Sequence, residues 1–420
     1  MNVLNALNRE ARFLARDHAL IAWMIVTLAL SSIALWSGLT EIQEQNETIQ
    51  RLVNADREDR QAELSQQSDW GSAAYYSFHL TYDTPSDFAF IALGQRDRTP
   101  WKHRIRMLAL EGQIHEFDAG NPVFALIGRF DFAFFAAFVL PVILIVLLHD
   151  VRAGERAAGR HELLVATSGS SASLWGIRVS LRTLAVFICA ILPLFILGTF
   201  AGAAFGKLLA ASLAIFVSLL FWAAVCLWVG AGRHSASLIL TVLIGIWVSL
   251  STLVPAGGRM AVNKIVSIPS GAEILMTQRE AVNDAWDLPK ASTMQPFLAR
   301  HPDWKNTPKI ERPFEWKWYY AFQQVGDQRA EQLSLDYTKG RIERDRLAGL
   351  TTLLSPPALL QRSLQQLANT DLNATIAYED TVREFHAELR AFYYPGLFGD
   401  TPFSPAALEA LPQFVDLETR

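Results

Sequence analysis

Cysteine is almost missing from this chain. Only Cys189 and Cys226 occur in 420 residues, and both fall inside long apolar runs. That excludes a disulfide framework and a Cys-based metal site, and leaves the two thiols as small packing residues. Any polar domain must therefore cohere by packing alone. A strong charge of one sign is missing too. Lys and Arg number 37 against 41 Asp and Glu, a formal net charge of −4, which argues against a general nucleic-acid binder. Nucleotide and zinc motifs are also lacking. The stretch Gly202-Ala-Ala-Phe-Gly206-Lys207-Leu208 has neither the spacing of a Walker A loop nor its closing Ser or Thr. His115-Glu116 and His161-Glu162 lack the second His of a zinc-protease helix, and the nine histidines are scattered. Gly169-Ser170-Ser171-Ala172 reads as a polar turn rather than a nucleophile elbow. No catalytic residue, metal site or bound cofactor is expected of this chain.

The last absence is the most informative. Five runs carry no Lys, Arg, Asp or Glu: 19–39, 132–148, 183–200, 208–229 and 235–254. A helix needs about 20 mostly apolar residues to cross the hydrocarbon core. A central Arg or Lys costs roughly 2.5–3.5 kcal/mol on insertion scales, so five clean windows point to five transmembrane helices. Arginines gather between these runs on one side only. Arg9, Arg12 and Arg16 precede the first run, Arg152, Arg156, Arg160, Arg178 and Arg182 follow the second, and Arg233 follows the fourth. With alternating spans the positive-inside rule makes that side cytoplasmic. The first run then reads as an uncleaved signal anchor, with Trp23 and Trp36 near its ends.

The expected organisation follows. Residues 1–18 are a cytoplasmic tail, 19–39 a span, 40–129 an extracytoplasmic segment, 130–148 a span, 149–182 a cytoplasmic loop, 183–254 three spans, and 255–420 an extracytoplasmic helical domain. The fold class is mainly α, a polytopic helical membrane protein, with room for a few short strands in its polar part. Glu41 to Gln67 reads as a helix leaving the membrane and fraying. The aromatic segments 73–82 and 88–93 are open between strands and membrane-surface pieces. Helical spacing is expected over 273–286, 316–350, 357–367 and 376–392. Pro395-Gly396 and Gly399-Asp400-Thr401-Pro402 read as turns, and Ser404 as the N-cap of a last short helix. Leu347 to Leu360 is too short and too Pro-broken to span, and at most lies on the membrane surface. Pro141 and Pro193 are expected to kink their helices. Gly198, Gly202 and Gly206 form a small-residue ladder for close helix packing. Ser31, Ser32, Thr241 and Ser249 either line a substrate path or simply bond back to their own helices.

The loop 150–182 is the strongest candidate element. Arg152, Arg156 and Arg160 are four apart, which on a helix stacks them on one face. Such a helix is either a topogenic cluster touching anionic lipid or a docking helix for a cytoplasmic partner. Gly128-Arg-Phe-Asp131-Phe-Ala-Phe, Leu140-Pro141 and His149-Asp150-Val-Arg-Ala-Gly-Glu155-Arg156-Ala-Ala-Gly159-Arg160 resemble permease subunits of type-2 ABC exporters, in a branch with large extracytoplasmic insertions. In that family a coupling helix of the form Glu-Arg-x-x-Gly-Thr-x-x-x-Leu-Leu follows the second span. Glu155, Arg156 and Gly159 match it, Leu163 and Leu164 stand for its Leu pair one residue early, and Arg160 stands where Thr is common. The resemblance implies an ABC ATPase subunit as partner, with ATP and Mg bound there, and a second permease copy or paralogue. It also implies a sixth span, and no run after Val254 supplies one: either the sequence stops short of that span, or the C-terminus is extracytoplasmic, which is the placement expected from the five runs. The alternative is a membrane-anchored extracytoplasmic binding or scaffold protein without transport activity.

Overall fold

The computed structural model describes residues 3–116, 130–168, 171–399 and 401–416. The protein is mainly helical, and five of its helices are long and apolar enough to cross a membrane: His18–Glu63, Phe132–Ala157, Ala172–Phe200, Phe205–Gly230 and Ala236–Ile265. The second is the central one, with 67% of its apolar window buried, against 11% for the fifth. An apolar helix surrounded by other apolar helices can afford no charge on any side, which is why its sequence shows no polar face.

The first long helix, α2 (His18–Leu64), follows a short N-terminal helix α1 (Val3–Leu14) and starts at Asp17, whose carboxylate accepts from the N–H groups of Ala19 and Leu20. At 1.5 Å per residue its 47 residues extend about 70 Å, far more than a bilayer. The polar half does not fray. It is held from the side: Asp56 accepts from the Leu80 N–H at 3.2 Å and pairs with Arg60, while buried Gln45 accepts from Arg96 at 3.0 Å.

Residues 86–97 are a buried wedge of two 3-10 turns: the first lies within 88–93, which the sequence leaves open between strand and surface piece, and the second is Gly94–Asp97, which reads as a turn. Phe88 to Leu93 are all buried. A run covered on every side carries no period, so its sequence could not tell strand from turn. Gly38 of α2 lets the wedge in: a Cβ there would lie 1.9 Å from the Phe90 carbonyl oxygen. Asp131, the N-cap of the second span, accepts from the Leu93 N–H at 3.0 Å and the Phe134 N–H at 2.8 Å. Thr370 donates to the Ala92 carbonyl at 2.8 Å. The wedge thereby joins three helices where the bundle meets the polar body. Gly38→Ala should cost about 1–3 kcal/mol, since backbone and not a flexible side chain must yield. A thermal melt in detergent that matches the parent protein would contradict that packing.

Both π-helical turns in the spans lie just before a proline. Phe135–Val139 precedes Pro141, and Ser249–Leu253 precedes Pro255. The proline ring excludes the carbonyl four residues back and offers no N–H, so the ladder widens there. Pro193 sits within the unbroken helix α8 (Ser171–Phe200).

The polar body is built from both large polar segments. The first gives α3 (Trp70–Tyr76), strand β1 (Phe78–Tyr82), strand β2 (Lys102–Arg106) and α4 (Glu111–His115). The strands pair antiparallel, Phe78 opposite Arg106 and Tyr82 opposite Lys102. The second gives helices Gly271–Asp287, Lys290–Arg300, Trp316–Thr352, Pro356–Leu367 and Leu372–Phe398. Their shared core includes Trp70, Ile105, Phe297, Tyr320, Phe385, Leu389 and Tyr393. Helix Lys290–Arg300 was not foreseen. Pro395 and Gly396, read as a turn, lie inside the last long helix; a Cβ on Gly396 would lie 2.2 Å from the Trp70 ring. Ser404 does precede a short 3-10 helix, Pro405–Ala410, but its side chain makes no capping bond. Leu350, Leu353 and Leu354 are exposed, and Ser355 donates to the Leu250 carbonyl of the fifth span at 2.6 Å.

Candidate functional site: the loop between the second and third spans

The loop after Leu148 folds as two short helices, α6 (Ala153–Ala157) and α7 (His161–Ser168), before α8 begins. Helix α6 stops because Gly159 takes φ +69°, a left-handed conformation that favours glycine. The stop corrects the expected arginine stack. Arg160 lies beyond the turn and swings back, donating to Glu155 at 2.8 Å.

Glu155 is the hub. Its second oxygen accepts from Arg178 of α8 at 3.0 Å, and Arg178 donates from Nε to Glu10 of α1 at 2.8 Å. All three side chains are nearly buried, at 12%, 10% and 6% exposure for Glu155, Arg178 and Glu10. Trp175, fully buried one turn before Arg178, forms the floor. His161 stacks on it at 5.4 Å, and the guanidinium groups of Arg178 and Arg152 lie over it at 5.3 and 5.6 Å. Arg182 reaches Asp17 at 3.8 Å. The loop is thus bracketed to α1, α2 and α8.

The five residues singled out for docking separate into roles. Glu155 faces inward and holds the bracket. Arg156 is half-buried, with Nη2 lacking a partner among the described residues. Gly159 makes the turn. Leu164 packs on the bundle core, whereas Leu163 is 67% exposed. Sequence reasoning passed over Glu10, Trp175 and His161. The i, i+3 spacing of Trp175 and Arg178 on one helical face was the available signal.

The other candidates do not come together. Ser31 is buried and donates to the Ala190 carbonyl at 2.7 Å, an interhelical bond. Ser32, Thr241 and Ser249 are bonded to the Leu28, Ser237 and Gly245 carbonyls of their own helices. They line no common path. Of the three glycines, Gly198 alone marks a close approach, its Cβ position 2.7 Å from Leu208. Gly202 makes the hairpin turn at φ +79°, and nothing lies within 4 Å of the Cβ position at Gly206.

A second ionic cluster lies in the polar body. Asp327 accepts from the Leu110 N–H at 2.7 Å, from Gln278 at 2.7 Å and from Arg390. Arg383 donates to Glu111 at 2.8 Å, and Ser334 to the same carboxylate at 2.7 Å. Burial alone would raise the Glu111 pKa, but bonds from His115, Arg383 and Ser334 hold it well below the usual carboxylate range. Every charge here has a partner, which is the pattern of a strut between helices. Among the described residues no group of three His, Cys, Asp or Glu side chains could hold a metal ion.

Fold and site together define a class: a helical, polytopic membrane protein with a bracketed loop at one face and a large helical body at the other. Residues 272–415 match the family model described as Domain of unknown function (DUF3526), which falls entirely within that body. No curated protein and no solved structure matches the chain.

Proposed function

We propose that this chain is the permease subunit of an ATP-driven exporter of the type-2 ABC class, in a bacterial inner membrane. In this reading the bracketed loop and the N-terminus are cytoplasmic, and the polar body is extracytoplasmic. The arginine distribution supports that orientation. Hydrolysis belongs to a separate ATPase subunit that holds ATP and Mg. A second permease copy or paralogue completes the transporter, and the sparsely buried fifth span leaves room for one.

One observation carries the reading. Leu163 projects from α7, whose start is held by Arg160 on Glu155 and by His161 on Trp175, and Glu155 is in turn pinned through Arg178 to α1 and α8. An exposed apolar anchor on a rigid mount is what force transfer from a moving partner requires. Leu163→Asp should lower permease-stimulated ATPase activity about tenfold, from the loss of one buried leucine at the interface. Its melting temperature should stay unchanged. ATPase coupling equal to the parent's would count against the docking role.

The second reading is a membrane-anchored binding or scaffold protein. It is favoured by the self-bonded hydroxyls of the spans, which offer no polar route. Detergent pull-down separates the two: a copurifying ATPase subunit supports the exporter, and its absence supports the scaffold.

A further inference from the structure

A cleft of about 1420 Å³ opens between β2, the Gly271–Asp287 helix and the polar end of the fifth span. Alternation along Lys102-His-Arg-Ile-Arg106 puts Lys102, Arg104 and Arg106 on one face of β2, with roughly 7 Å between successive backbone positions. Arg98 and Arg259 also line the cleft. Three of the lining cations are neutralised: Arg96 by Asp83, Arg104 by Asp59 and Arg279 by Glu116. Arg98, Lys102, Arg106 and Arg259 have no carboxylate partner among the described residues.

Two of these four lie on aromatic faces instead. Lys102 sits 4.8 Å above Trp101, and Arg106 lies 5.0 Å from Phe78 and 5.6 Å from Tyr75. A ring orients a cation without cancelling its charge. Clustered like charges destabilise a fold unless something offsets them. Apolar Trp101, Leu108, Leu275 and Val282 share the lining with polar Gln113, Gln278, Asn283 and Gln323, and its carboxylates are Asp97 and Glu116, the latter paired with Arg279. Arg259 stands five residues beyond Val254, about 7 Å along the helix from the end of the charge-free run, which is headgroup depth.

We propose that this cleft binds a phosphate-bearing ligand, its phosphate held by Arg98, Lys102, Arg106 and Arg259 and its apolar part by the Trp101 side. The inference goes beyond the exporter reading and does not need an ATPase. Two sources share this chemistry: an anionic phospholipid reaching in from the bilayer, and a soluble polyphosphate.

The test uses the full chain in a neutral detergent, with fluorescent phosphatidylglycerol followed by anisotropy and tripolyphosphate as competitor. Saturable binding is expected, weakened about tenfold by R259Q and further by R98Q/R106Q/R259Q. Binding should also fall as salt rises. R346Q, at an exposed pair with Glu343, should leave it unchanged. Lipid binding that resists tripolyphosphate identifies the bilayer as the source. Displacement by tripolyphosphate, with the same loss in the variants, identifies a soluble ligand. Because Arg259 is exposed on its helix, R259Q reads out binding even if the triple variant fails to fold. Affinity unaltered in R259Q, or no saturable binding of either probe, overturns the assignment.

Discussion

Arg178→Ala is expected to be among the most damaging single changes in this protein, by roughly 3–5 kcal/mol, the range seen when one partner of a buried ionic group is removed. Arg178 joins two carboxylates from different parts of the chain, Glu10 and Glu155, and covers Trp175. Its loss leaves two nearly buried negative charges facing each other, with only the exposed Arg160 beside Glu155 and the exposed Arg9 beside Glu10 to answer them. Arg178→Lys should recover only part of the deficit, because one ammonium cannot reach two carboxylates and lie flat on an indole. The compensating test is sharper. Glu10→Gln with Glu155→Gln in the Arg178→Ala background removes the stranded charges, so most of the lost stability should return. Thermal melts in detergent of the four proteins decide it. If the triple variant is no more stable than Arg178→Ala, the charge bracket is not what holds α1 and the loop to α8. The same series bears on the proposed function. A loosened bracket should lower ATPase coupling even with Leu163 intact, because force would be lost in the mount.

The parts of this architecture that could be read from the sequence are those governed by local rules. A charge-free window has one explanation in a chain of this composition, and all five windows became long apolar helices. Helical spacing in the polar body was legible for the same reason, with Trp316 placed as the first residue of its helix. What escaped was set by contacts distant in sequence. The wedge at 86–97 is shaped by Gly38, Asp131 and Thr370. Pro395-Gly396 is a turn signal by local chemistry, but burial of Tyr393, Tyr394, Leu397 and Phe398 and the fit of Trp70 keep it helical. In the loop, the position of the arginines was visible but their partners were not, because Glu10 and Arg178 are 168 residues apart. The arginine face assumed a helix continuing through Gly159, and a single left-handed residue removed it.

His79→Leu is expected to leave the protein nearly as stable at pH 7.5 and to make it more stable in acid. His79 is fully buried in β1, edge-on to Phe385 at 6.0 Å, and neither ring nitrogen has a hydrogen-bond partner among the described residues. Burial, helped by the charge of Arg60, holds its pKa down to about 3 from an ordinary 6.5. Between those values the unfolded chain binds a proton here and the folded chain does not. The stability tied to this neutral ring is therefore complete above pH 6.5 and drains as pH falls, by about 1.4 kcal/mol per unit. At pH 5 that is roughly 2 kcal/mol from one residue. Burial also lowers His103, to about 4, against the pull of Glu379, and lowers His386, with Arg390 adding to the effect. Three rings around the strand pair thus make the polar body acid-sensitive. Leucine removes one of the three and two unsatisfied buried nitrogens with it, at similar volume. Chemical denaturation from pH 8 to pH 4.5 should give a stability profile one proton shallower than the parent's below pH 6.5. Parallel profiles would mean that the folded protein already lets water or a proton reach His79.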